Sequence, residues 1–127
     1  PDNGFIDQLP EVTDGEAALA LLQQLVVRKV LITRRMADAF VETLADEPRR
    51  DALRTISAAL KSGPPPLPFP PACPFTVIWG AADAIVPPPQ VPTPGLRVLP
   101  DIGHLPQVEA VSEVEEAVMA HLPPAAS

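Results

Sequence analysis

A single cysteine, Cys73, stands in a chain of 127 residues, which leaves no partner for an internal disulfide and fits a reducing, cytoplasmic setting. Basic side chains are scarce: 9 Lys and Arg against 16 Asp and Glu give a formal net charge of −7. Nucleic-acid phosphates require a basic surface, so this balance speaks against a nucleic-acid partner, and it disfavours anionic membrane surfaces for the same reason. No apolar run approaches the ~18–20 residues of a transmembrane helix, and no signal peptide opens the chain. Two histidines and one cysteine without ligand spacing argue against a metal site. A glycine-rich phosphate loop is missing, and so is any internal repeat.

What is present is enough for one modest domain. Hydrophobic residues make up 46 %, which is ordinary for a globular protein and excludes a disordered acidic tail. Proline is abundant, at 19 residues, and many fall in two stretches, 64–74 (PPPLPFPPACP) and 87–94 (PPPQVPTP). Neither can be helical, because proline lacks the amide hydrogen and restricts the residue before it. The first stretch divides the chain into a helical region, 1–63, a proline-rich linker, 64–74, and a strand-containing region, 75–127. An SH3 or WW ligand is the sharper alternative to a linker.

In the first region Thr13 and Glu16 have the spacing of a capping box, followed by Ala18, Leu21, Leu22, Leu25, Val26 and Val30 at helical spacing. Thr33 suits the cap of a second helix with Met36, Phe40 and Leu44 on one face. Pro48 suits the first turn of a third, which carries Ala52, Leu53, Ile56 and Leu60 and stops near Gly63. After the linker the period changes. Residues 75–79 (FTVIW) read as a strand buried on both faces, 96–99 (LRVL) as a second strand, and Ser112 with Glu115 as a capping box for a final helix bearing Val114, Ala117, Val118 and Leu122. Strand, loop, strand, helix is the tail of an α/β sheet. Two parallel strands need neighbours and helices on both faces, so the native fold is expected to be larger than this chain.

Asp83 follows the first strand, beyond Gly80, and His104 follows the second, beyond Ile102 and Gly103. A glycine before the histidine permits a sharp turn at the carboxyl end of a strand. There His104 could serve as general base, with Asp83 fixing its tautomer and stabilising the imidazolium. Read from spacing alone, a capping aspartate and a satisfied histidine fit as well.

The segment at 79–87, WGAADAIVP, resembles the W-G-x-x-D-x-x-x-P segment of α/β-hydrolases, whose Asp is the triad acid. The segment at 103–109, GHLPQVE, resembles the G-H-x-x-x-x-E segment that carries the triad histidine, and the two occur in the family's order. The helical region adds to this: GFID at 4–7, LLQQLV at 21–26, LITRRM at 31–36 and DALRTISAAL at 51–60 are together similar to the cap of the hydrolase-fold domain in acyltransferase (dihydrolipoamide acetyltransferase-like) components of acetoin dehydrogenase systems. The resemblance implies the carboxyl-terminal portion of an α/β-hydrolase fold, with a helical cap and an incomplete sheet, in which Asp83 and His104 are catalytic. It implies acyl transfer or hydrolysis on a small acyl substrate, with the cap closing over it and restricting water. No cofactor is required, although lipoyl groups or coenzyme A enter by family analogy.

The third triad member is missing. None of Ser57, Ser62, Ser112 and Ser127 is flanked by the glycines of a G-x-S-x-G nucleophile elbow. In the family the elbow and the oxyanion-hole loop precede the cap, so both are expected upstream of Pro1, and the partner of this chain is expected to be the amino-terminal part of the same fold. The chain alone is then inactive. The other expectation is a non-catalytic fragment that binds a partner through the cap helices or an open sheet edge. The family also fits a helix between its acid and histidine, where 87–94 has room for at most a turn. Glu109 is expected near the start of the last helix without a catalytic role, His121 as a solvated helix end, Cys73 in linker or core, and Arg34, Arg35, Arg49 and Arg50 on solvated faces.

Overall fold

The computed structural model describes residues 4–63 and 66–124, so Pro64 and Pro65 of the proline-rich stretch, and Ser127, lie outside the described residues. The chain is mixed α/β. Helix α1 (Gly4–Gln8) contains Phe5 and Ile6, and a 3-10 turn over Leu9–Glu11 buries Pro10. Helix α2 (Gly15–Leu22) is capped by Asp14, in extended conformation, whose Oδ1 accepts from Ala17 N at 2.9 Å. The cap is thus one residue beyond Thr13, and a carboxylate is a strong N-cap acceptor. Helix α3 (Arg34–Leu44) starts from Thr33, whose Oγ1 accepts from Met36 N at 3.2 Å. Helix α4 (Glu47–Ser62) has Pro48 in its first turn and ends at Gly63, which takes a left-handed φ of 75°.

Ala18 on α2 and Ala37 on α3 are fully buried, and their small side chains let the two helices close on Leu21, Leu44 and Val12. Phe5, Leu9, Phe40 and Leu53 pack around this core. The face of α4 is a correction to the sequence reading. Ile56 and Leu60 are exposed, and the buried positions are Arg50 and Ser57. Arg50 turns inward because its guanidinium finds three carbonyls: Nε donates to Leu44 O at 3.0 Å, Nη1 to Pro10 O at 2.6 Å and Nη2 to Val12 O at 3.1 Å. It therefore ties three loop ends together rather than facing solvent. Arg50→Met keeps the stem but strips three buried carbonyls of their donor, and is expected to cost about 3 kcal/mol. Urea unfolding followed by circular dichroism checks this, and a loss below about 1 kcal/mol would mean that the carbonyls find other donors.

Near the same junction Glu11 accepts from Arg54 at 2.8 and 3.1 Å, and this bond holds its carboxyl below the ordinary carboxylate range. What this exposed pair adds to stability is present above the ordinary Glu value of ~4.3 and is lost as pH falls through the lowered value.

Strands β1 (Val77–Gly80) and β2 (Leu96–Leu99) pair in parallel, with Val77 opposite Leu96 and Gly80 opposite Leu99. Parallel neighbours need a long connection, and 81–95 supplies one without a helix or strand, as its prolines require. Residues 75–79 are half-buried rather than covered on both faces, and Val98 is exposed, because among the described residues the sheet has only these two strands. Helix α5 (Pro106–Glu109) runs through Ala110 into α6 (Val111–Ala120). Ser112 therefore lies inside the first turn of α6 and caps nothing, while Ala117 is buried and Val118 and Leu122 are exposed. Among the described residues no helix is long and apolar enough to cross a membrane.

Candidate functional site

Each half of the site hangs from the end of a strand. After Gly80, Asp83 N donates to Gly80 O, closing a tight turn, while Ala81 N donates to Leu99 O at 2.8 Å and Ala82 N to Ile102 O at 2.9 Å. The acid loop is thus sewn to the end of β2 and to the turn beyond it. Trp79 fastens the far side, its indole Nε1 donating to Val86 O at 2.9 Å.

The Asp83 side chain is 5 % exposed and is fully committed. Its Oδ1 accepts from Ile85 N and Val86 N, both at 2.9 Å, which leaves Oδ2 aimed at His104 Nδ1, 2.8 Å away. An ionised carboxylate can only accept, so Nδ1 carries the proton and Nε2 of the neutral ring is left with a free lone pair. The His104 side chain is 35 % exposed, and among the described residues none bonds Nε2. A buried acid holding one nitrogen of a partly exposed imidazole, with the other nitrogen unbonded, is the arrangement a general base requires.

The two glycines have a reason different from the one the sequence suggested. Gly103 does not adopt a left-handed conformation; Asp101, at φ 58°, makes the sharp turn before it. Gly103 is instead a point of close approach. A Cβ there would stand 2.9 Å from Leu25 O and 3.1 Å from Glu109 Oε2. At Gly80 a Cβ would stand 2.0 Å from Gly103 O and 2.3 Å from Ile102 O. The glycines of the two motifs therefore press on each other's backbone, and this contact brings Asp83 and His104 within reach.

Glu109 is the residue that sequence reasoning undervalued. It is buried at the end of α5, and its carboxylate gathers three backbone amides: Val27 N and Arg28 N on Oε1, both at 2.8 Å, and Gly103 N on Oε2 at 2.7 Å. Arg28 Nη2 donates to Glu109 O at 2.8 Å, and His104 N donates to Leu25 O at 2.8 Å. The available signal was a carboxylate in the run Leu105 to Val111, which is apolar apart from Gln107 and Glu109 itself. A carboxyl group buried in such a run needs hydrogen-bond donors to meet it.

Other candidates lie apart from this pair. Ser57 is buried in α4, Ser62 Oγ donates to Ala59 O at 2.9 Å, and Ser112 is exposed on α6. Cys73 is exposed. His121 Nε2 meets Thr76 Oγ1 at 2.8 Å, joining the end of α6 to the residue before β1. An open cavity of about 200 Å³ is lined by Gln8, Glu11, Val12, Thr13, Asp14 and Ala17, none of which belongs to the pair. Its two carboxylates are already engaged, Asp14 as a helix cap and Glu11 with Arg54.

No protein-family model matches the chain, and no curated protein matches it either.

Proposed function

We propose that this chain is the carboxyl-terminal part of a Ser-His-Asp α/β-hydrolase-fold enzyme, contributing Asp83 as acid and His104 as general base. The nucleophile belongs to polypeptide outside these residues, the amino-terminal part of the same fold. One observation carries the reading: a buried carboxylate, saturated on Oδ1 by two backbone amides, holds His104 Nδ1 at 2.8 Å and leaves Nε2 free. A carboxylate that only satisfied a turn would need no imidazole on its second oxygen. Support also comes from the placement of Asp83 after β1 and His104 after the parallel neighbour β2, and from the half-exposed strand faces, which a larger parallel sheet would cover.

In this reading His104 Nε2 takes the proton of a serine hydroxyl as its oxygen attacks the acyl carbonyl. The imidazolium, stabilised by Asp83, then returns that proton to the leaving group. Backbone amides of the nucleophile-bearing part hold the oxyanion. The reaction is acyl transfer to an acceptor, or hydrolysis of an ester, thioester or C–C bond. The helical region serves as the cap over a small acyl substrate. By family analogy alone, lipoyl-lysine or coenzyme A would be the acyl carrier; the single cysteine fits a cytoplasmic setting, and the net charge of −7 speaks against nucleic-acid and anionic-membrane partners.

The test uses the full-length protein and a fluorophosphonate probe, which phosphonylates only an activated serine. Labelling of one serine is expected, and His104→Ala should slow it by about a hundredfold or more. Labelling that is absent, or unchanged by the substitution, would sink the reading and leave a non-catalytic interaction fragment.

A further inference from the structure

The proposed mechanism needs the acid and the base but gives no work to Glu109, a buried carboxylate that joins the two halves of the chain. Its Oε1 holds Val27 N and Arg28 N from the helical region, and its Oε2 holds Gly103 N, the amide immediately before His104. The His104 amide in turn donates to Leu25 O. Residues 25–28 and the histidine turn are therefore fastened at two successive amides, Gly103 N through Glu109 and His104 N directly. No cation neutralises the carboxylate within ion-pair distance among the described residues; three amide dipoles do so. We propose that Glu109 is a positioning residue, which sets the place of the His104 imidazole relative to Asp83 according to where the 25–28 segment of the helical region lies. The proposal rests on the reading of His104 as the base. Its consequence is that a substrate displacing the cap at 25–28 is sensed at the base through one carboxylate.

The geometry predicts which replacement discriminates. Glu109→Gln has nearly the same shape but offers one acceptor oxygen and one amino group. Whichever way the amide turns, a donor faces a donor, at Gly103 N or at Val27 and Arg28 N. Arg28→Met removes only the bond to Glu109 O from the same junction and leaves the carboxylate with its three amides. The readout is the Nδ1 proton of His104, observed by NMR in the ¹⁵N-histidine-labelled full-length protein. Glu109→Gln should speed its exchange with solvent about tenfold and shift it upfield, while Arg28→Met should leave exchange within about twofold of wild type. Equal effects of the two replacements, or none from Glu109→Gln, would overturn the proposal.

A measurement on the unaltered full-length protein guards against a variant that does not fold. Native-state hydrogen exchange should give the amides of Val27, Arg28 and Gly103 one shared opening free energy, because one carboxylate holds all three. Independent opening of Gly103 would overturn the proposal. If His104→Ala leaves probe labelling intact while these signals behave as stated, the base assignment fails and the positioning role of Glu109 stands. If labelling depends on His104 but the Nδ1 proton ignores Glu109, the reverse holds.

Discussion

Replacing Gly80 by alanine should separate Asp83 from His104 and cost at least about 4 kcal/mol, among the larger effects of any single methyl group. The new Cβ would lie 2.0 Å from Gly103 O, 2.3 Å from Ile102 O and 2.7 Å from Ile102 C. All three are backbone atoms, so no rotamer change relieves the clash, and the end of β1 must retreat from the histidine turn by about 1 Å or more. That retreat strains the bond from Ala82 N to Ile102 O at 2.9 Å, which ties the acid loop to the turn, and pulls on the Asp83–His104 contact itself. Trp79 reports the event directly. It is the chain's one tryptophan, it neighbours Gly80, and its indole is bonded to Val86 O in the acid loop. Urea unfolding followed by Trp79 fluorescence should lose cooperativity or move to a much lower midpoint. An unchanged midpoint with an intact Nδ1 proton signal would show that the close packing of the two glycines is not what joins the site.

The outline of the helical region was legible because its punctuation is local. Thr33, Pro48 and Gly63 each act on amides or dihedrals within a turn of themselves, and each marks the boundary that its chemistry predicts. Asp14 rather than Thr13 is the cap: two adjacent residues of cap-forming type stand at the helix start, and spacing does not choose between them. The box at Ser112 failed for a different reason: α5 feeds almost directly into α6 and removes the free helix start that a cap requires. The two strands and their order were legible from β-branched apolar runs. Burial on both faces was not, since it depends on strands beyond this pair.

Arg50 and Glu109 escaped sequence reasoning together, and for the same reason. Each is a charge whose partners are backbone groups far away in sequence, at Pro10 and Val12 for one and Val27 and Arg28 for the other. Side-chain patterns carry no record of carbonyls and amides, which every residue possesses. The pairing of Asp83 with His104 is a long-range contact of the same kind, and spacing alone left it open; it was expected only because the two segments resemble the acid and histidine segments of α/β-hydrolases. The glycines show where such anticipation stops. Gly103 was read as a turn residue, whereas its role is to admit Leu25 O and Glu109 within van der Waals contact.

If His104 is the base as proposed, Asp83→Asn is expected to lower turnover of an acyl substrate by the full-length protein about 10⁴-fold while leaving stability almost unchanged. The reason lies in how the loop would hold the new amide. Ile85 N and Val86 N both point at Oδ1 from 2.9 Å, so the asparagine oxygen must occupy that position to accept from them. Its amino group is then forced into the place of Oδ2, 2.8 Å from His104 Nδ1. An amino group donates, so Nδ1 must become the acceptor and the ring proton moves to Nε2. His104 would keep its position and its hydrogen bond, but it would present a proton where the mechanism needs a lone pair. Stability survives because shape and hydrogen-bond number are conserved. Asp83→Ala, in contrast, leaves the amides of Ile85 and Val86 without their acceptor and should cost stability as well. Two measurements made together decide the matter. Imidazole ¹⁵N shifts should report the Nδ1-protonated tautomer in the wild type and the Nε2-protonated tautomer in Asp83→Asn, and turnover should fall in step. A tautomer switch with unchanged turnover would show that His104 is not the base. Lost turnover with an unchanged tautomer would show that Asp83 acts through its charge rather than through the orientation of the ring.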